Sequence, residues 1–338
     1  MTPLRSRSPG NPDGSEPIAN VPGPALATLT KDRFSDERWV YERKLDGMRL
    51  LAYSESGTIR LRSRSGSDIT TGFPEIATAI AAQQAPDFVV DGEVVAFVGS
   101  QTSFVRLQQR IHVRDPERAK ATGVAVFYYV FDLLHLDGRS TRTLPLRARK
   151  GLLEDLFDWS EPLRFTVHRD KDGEAFFGEA CRRGWEGIIA KRADSTYQPG
   201  RTRNWLKFKC EAGQEFVVAG WTDPQGSRVG IGALLLGYYD ANGALTYAGR
   251  VGTGFDTATL DDLRARLDDL TQSSTAYDTG SLPTDAASRR GVHWVRPELL
   301  AQVSFAEWTP DGRLRHPRFL GLRTDKAARD VRREVPDA

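Results

Sequence analysis

The chain has 338 residues, a formal net charge of +2, 39% hydrophobic and 27% charged residues, and two cysteines. That length accommodates two domains with separate cores, and the composition is ordinary for a globular protein. No apolar run approaches the roughly 20 residues a membrane span requires, while Cys181 and Cys210 stand in unrelated contexts, which argues against a disulfide framework or a Cys-based zinc site and for a reducing, cytoplasmic setting.

In chain order, "MTPLRSRSPGNPDGSEPIANVPGP" carries basic residues but no apolar h-region, so it reads as a flexible tail over residues 1–18 rather than a secretory signal. "WVYERKLDGMRLLAYSESGTIRLRSRSG" alternates apolar and polar residues, broken at Asp46-Gly47 and Ser56-Gly57, and predicts antiparallel strands joined by tight turns. "FPEIATAIAAQQA" predicts a helix, "DFVVDGEVVAF" two strands around another Asp-Gly turn, and "SFVRLQQRI" a helix. "VAVFYYVFDLL" is apolar enough for a central strand. Helices follow at "LRARKGLLEDLF" and "DGEAFFGEACRRG", then strands at "GIIAKR" and "NWLKFK".

After Cys210 the texture changes to short strands separated by Gly, Asn and Pro. They are interrupted by "TATLDDLRARLDDLTQ", a helix with Leu260, Leu263, Leu267 and Leu270 on one face and Thr259 as its N-cap. This predicts an α+β first domain over 19–212, with antiparallel sheets flanked by helices. A small Greek-key β-barrel of the OB-fold kind follows over 213–332, with a tail over 333–338. Basic residues cluster around Arg201 to Lys209 and outnumber acids from Arg289 to Lys326, so one face should be positive.

Lys44 precedes Asp46-Gly47 in "ERKLDGMR". A solvated hairpin lysine would look the same as a nucleophile here, and the stretch alone leaves both readings open. A nucleophile must be neutral, which costs about 4–5 kcal/mol at pH 7 for a free lysine amine, and neighbouring cations reduce that cost. Arg49 and two lysines downstream are the candidates for such cations. Glu93 in "VVDGEVVAF", Glu186 and Lys191 in "EGIIAKR", and Lys207 and Lys209 in "NWLKFK" each have a plain structural reading as well. Two residues apart on a strand, Lys207 and Lys209 point to one face, and inward-facing they would call for a polyanion between them.

Taken in order, KLDGMR, SRSG, DGE, YYVFDLL, EGIIAKR and WLKFK resemble the covalent nucleotidyltransferase superfamily of DNA ligases, RNA ligases and mRNA-capping guanylyltransferases. "GRVGTGF" and "RHPRFLGLRTDK" extend the resemblance to the OB domain of bacterial ATP-dependent DNA ligases, above all the ligase module of bacterial end-joining ligases and their stand-alone relatives. The resemblance covers about Pro24 to Glu334. It implies a nucleotidyltransferase (adenylation) domain followed by an OB-fold, and an ATP-dependent ligase that seals nicked or broken duplex DNA.

Carried onto this chain, the resemblance makes Lys44 the residue that takes AMP. Glu42 would read the adenine amino group and Phe131 would stack on the base. Arg49 and Glu93 would bind ribose, Arg64 the nick 5′-phosphate, and Lys207 and Lys209 the α-phosphate. Glu93 and Glu186 would hold Mg²⁺ or Mn²⁺, and Arg323 and Lys326 would orient pyrophosphate. No G-x-x-x-x-G-K-[ST] loop occurs, which excludes a P-loop ATPase. The resemblance also implies a monomer that grips DNA through its own basic patches, without zinc or helical DNA-binding modules, and a Ku-like end-binding partner. The rivals are an RNA ligase, a capping-type guanylyltransferase and a non-catalytic nick-binding scaffold.

Overall fold

The computed structural model describes residue 18 and residues 21–224, 230–282 and 291–335. The expected N-terminal tail, Ile18 apart, lies outside the described residues. The chain divides into two compact units, Met1–Phe208 and Lys209–Ala338.

In the first unit the strands are β1 (Ala25–Leu29), β2 (Trp39–Arg43), β3 (Met48–Glu55), β4 (Thr58–Ser63), β5 (Phe88–Val95), β6 (Phe127–Leu136), β7 (Leu163–Phe165), β8 (His168–Asp170), β9 (Gly187–Arg192) and β10 (Gly200–Lys209), whose last residue is already the first of the second unit. The helices are α1 (Pro74–Ala81), α2 (Phe104–Ile111), α3 (Pro116–Ala121), α4 (Leu146–Leu156) and α5 (Gly173–Arg182). They build two sheets, one in the order β1-β10-β9-β2-β8, the other β7-β6-β5-β3-β4. The strand alternation predicted from sequence explains how the second sheet is covered on both faces. Leu50, Ala52, Val90 and Val130 pack on one side with Phe73, Ile76, Leu107 and Leu153 from the helical layer. Leu51, Tyr53, Val89 and Phe131 pack on the other with Tyr197 and Trp205.

Three expectations change. "ERKLDGMR" is no hairpin: β2 pairs with β8 and β9, whereas β3 pairs with β4 and β5, so Lys44 to Gly47 cross from one sheet to the other. Gly47 is needed for close approach, since a Cβ there would collide with the Val94 carbonyl oxygen. "DFVVDGEVVAF" is not two strands about a turn but the single strand β5, whose register against β6 slips between Asp91 and Gly92. A Cβ on Gly92 would lie 2.5 Å from the Tyr128 ring, so the glycine there serves packing rather than a turn. The sheets are also mixed rather than antiparallel, because β1 runs parallel to β10 and β7 parallel to β6.

The second unit contains β11 (Ala212–Thr222), β12 (Leu234–Tyr239), β13 (Leu245–Val251), α6 (Thr257–Asp269), β14 (Thr271–Gln272), β15 (Val292–Phe305) and β16 (Arg318–Arg323). The sheet order is β13-β12-β11-β15-β14, with β16 on β15. Phe216, Val218, Leu236 and Val303 bury against Leu263 and Leu267 of α6. Among the described residues no ladder closes this sheet, so the expected barrel is seen as an open, bulged sheet. The cap of α6 is Asp256, which accepts from the Thr259 N–H at 2.8 Å; the predicted cap Thr259 is the residue being capped. The cysteines also depart from expectation: neither is free, and both are disulfide-bonded.

Candidate active site

Where β2 ends, the Lys44 N–H donates to the Gly187 carbonyl at 2.9 Å, which ties the crossing loop to the start of β9. The loop is held from its other end as well: the Asp46 N–H donates to Thr102 Oγ1 at 3.2 Å, and the Asp46 carboxylate accepts from the Phe104 N–H at 3.1 Å. Lys44 therefore stands on a fixed backbone in the seam between sheets, half-buried, with its Nζ paired to Glu186. Burial disfavours the ammonium, but Glu186, Glu93 and Asp46 outweigh it and hold the Lys44 proton above the ordinary lysine value. This corrects the expectation of a lysine activated by cations. The groups that decide its charge are acids.

Arg49, on β3, is fixed by the "DGE" segment. Its Nε and a terminal nitrogen donate to both oxygens of fully buried Asp91 at 2.5 and 2.6 Å, and it also donates to the Ala25 carbonyl. The Tyr197 hydroxyl donates to the same carboxylate at 2.5 Å. Burial opposes the Arg49 charge, and Asp91 more than restores it. Glu93 sits directly opposite Arg49 in the β3–β5 ladder. Phe131 is nearly buried, with the Arg49 guanidinium 4.6 Å and the Lys191 ammonium 4.0 Å from its ring centroid.

Glu42 lies one strand-alternation before Lys44, 2% exposed, with one oxygen 2.6 Å from Lys150 Nζ and the other 2.6 Å from Lys191 Nζ. Burial raises its carboxyl, but the two ammonium groups prevail and keep it below the ordinary glutamate value. Burial, with Lys150 alongside, drives Lys191 down to about 8 against the pull of Glu42. The structure thus brings Glu42, Lys44, Arg49, Glu93, Phe131 and Glu186 to the seam between two sheets of one unit.

The remaining candidates are divided between the two units. Arg64 is half-buried in the Ser63–Gly66 turn, and Lys207 lies on β10 opposite Leu29. Lys209 falls in the second unit, where its ammonium donates to the Gly213 carbonyl and pairs with Glu334. Arg323 makes a two-point contact with Asp325, and Lys326 lies 3.4 Å from Glu215. Among the described residues no three His, Cys, Asp or Glu side chains converge on a metal position. Glu93 and Glu186 are hard oxygen donors of the kind that bind Mg²⁺ together with phosphate oxygens and water.

Sequence reasoning assigned no role to Asp91, Lys150 or Tyr197. Asp91 was readable as the strand neighbour two before Glu93. Lys150 left a fainter sign, since α4 buries Leu146, Arg149, Lys150 and Leu153, a helical core stripe with two cations in it. Arg149 is matched by Asp132 of "VFDLL" at 2.6 Å, both fully buried. Tyr197 gave no sign.

A family model described as ATP dependent DNA ligase domain matches residues 24–209, and another, ATP dependent DNA ligase C terminal region, matches residues 227–326. The chain belongs to the ATP-dependent DNA ligase family. Its two units are accordingly a nucleotidyltransferase domain and an OB-fold-type domain. Multifunctional non-homologous end joining protein LigD of Pseudomonas aeruginosa is 38% identical over 332 residues, covering 97% of this chain and 38% of that protein. The LigD repair protein of Mycobacterium tuberculosis is 40% identical over 318 residues, 92% of this chain and 40% of that one. A solved structure titled mycobacterial DNA ligase D complexed with ATP and MES superposes with a TM-score of 0.65 at 36% identity, covering 93% of this chain and 98% of that one. The chain spans about two fifths of the length of these curated relatives. Among the described residues no helix is long and apolar enough to cross a membrane. The ligase descriptions favour DNA ligase over the RNA-ligase, capping and scaffold alternatives.

Proposed function

We infer that this ligase seals nicks and ends in duplex DNA with ATP. The observation that carries the reading is the half-buried Lys44 amine, fixed at the sheet seam among Glu186, Glu93 and Asp46. Lys44 Nζ attacks the α-phosphorus of ATP, forming an N–P bond as the bond to pyrophosphate breaks. The 5′-phosphate of the nick then displaces the lysine and becomes an AMP-capped pyrophosphate. Finally the 3′-hydroxyl attacks that phosphate, AMP leaves, and the phosphodiester is complete. Glu42 reads the adenine amino group, Phe131 stacks on the base, and Glu93, with Arg49 braced by Asp91, lines the ribose.

Lys207 and Lys209 face the α-phosphate in this reading, Arg64 the nick 5′-phosphate, and Arg323 and Lys326 the leaving pyrophosphate. Lys209, Arg323 and Lys326 each exchange a carboxylate partner for phosphate. A divalent cation held by Glu93 and Glu186 would place positive charge against the phosphate oxygens as they gain charge. The working form is a cytoplasmic monomer, and a Ku-like end-binding protein is its partner at breaks. Incubation with labelled ATP or GTP, followed by sealing of a nicked duplex, tests the reading. Label from ATP and a sealed DNA strand are expected; label from GTP alone, or sealing of RNA alone, would overturn it.

Glu186 has a second task, because it holds the proton that Lys44 must lose. Removing that carboxylate lowers the Lys44 pKa, so more neutral amine is present at any given pH. The rising limb of adenylylation against pH should therefore move to lower pH in Glu186→Gln. Its maximal rate should fall about 10- to 100-fold, because a metal-site carboxylate is lost. A limb that stays in place would show that Glu186 does not control the proton.

A further inference from the structure

A second cleft, of about 300 Å³, opens in the first unit where the chain passes from β7 to β8 against α5. Arg43 and Leu45 line it, whereas Lys44, Glu186 and Phe131 do not. Its volume is at the lower end of the range for small-ligand sites. Two features mark it as built for an anion.

The first is charge. Arg43, Arg169 and Arg183 line it with a single carboxylate, Glu179, and that acid is already shared between Arg169 at 2.7 Å and Arg183 at 2.8 Å. Arg43 makes no ion pair among the described residues. Its guanidinium lies 4.3 Å from the centroid of Trp185, and the Arg183 guanidinium lies 5.3 Å from the same ring. Two like charges held at one indole, one of them half-buried, gain most from an anion that bridges them.

The second feature is a set of unmatched donors and acceptors. Thr166 is 5% exposed, yet its Oγ1 has no hydrogen-bond partner, and the same is true of His168 Nδ1 and Arg43 Nε. Buried polar atoms are almost always paired, and three such orphans fall on residues that line this one cleft.

We propose that this cleft binds a phosphate group, gripped by Arg43 and Arg183 and hydrogen-bonded by Thr166. The phosphate comes either from free phosphate in solution or from the backbone of a DNA strand; the second source rests on the ligase reading, and the first does not. Binding of inorganic phosphate by calorimetry, and of an unbroken duplex across a salt series, separates the sources.

For free phosphate, wild type should give a saturable heat that the double variant Arg43→Gln/Arg183→Gln loses by at least about tenfold. For backbone phosphate, the double variant should flatten the slope of log affinity against log salt by about 1. In both cases labelling of Lys44 by ATP should stay within about twofold of wild type. Should the double variant fail to fold, Thr166→Val removes the orphan hydroxyl at near-constant volume, and it should weaken the same probe about threefold. The proposal is overturned if these variants bind both probes as wild type does. A chain that binds phosphate but takes no label from ATP would instead retire the ligase reading and leave the cleft standing.

Discussion

Lys44→Ala should carry no label after incubation with labelled ATP, and its nick sealing should fall at least about 10³-fold. No second amine can replace it without rebuilding the loop that presents it, because backbone bonds to Gly187 and Thr102 fix where the attacking atom stands. Lys44→Arg makes the sharper test. It restores a cation beside Glu186 and should keep the fold, but a guanidinium stays protonated and cannot attack phosphorus. Both variants should be equally unlabelled. Label retained in either, or an AMP adduct mapped by mass spectrometry to Lys207 or Lys209, would move the nucleophile away from Lys44.

The ligase motifs were legible because each couples a chemical residue to a strand-end pattern that stays local in sequence. Helix α2 and the interior strand β6 could be read the same way, from their apolar patterns. What could not be read was which strand pairs with which. Asp46-Gly47 carries the dipeptide of a hairpin, and nothing local says that β2 and β3 join different sheets. Gly92 looked like a turn because its function, making room for the Tyr128 ring, depends on a strand 36 residues away. Register fixes the environment of the site as well. Glu42 sits opposite Ile189, which makes Lys191 its diagonal neighbour. Of the acids around Lys44, Asp46 is local, but Glu93 and Glu186 arrive only through long-range pairing, and for that reason sequence assigned the lysine cationic neighbours.

Glu42→Ala should cost about 3–5 kcal/mol of stability, read by urea unfolding, because it leaves Lys150 and Lys191 buried side by side without their shared carboxylate. Loss of adenylylation in that variant would not by itself show that Glu42 reads adenine, since an unfolded site also fails. The triple variant Glu42→Leu/Lys150→Met/Lys191→Met separates the two roles. Replacing a buried ion cluster with apolar side chains of similar volume is often neutral or stabilising, so its unfolding midpoint should return close to wild type. Its labelling by ATP should stay lost, because the carboxylate that accepts from the adenine amino group is gone. If the triple variant regains labelling with its stability, Glu42 is only a structural anchor for two lysines, and the base is recognised elsewhere.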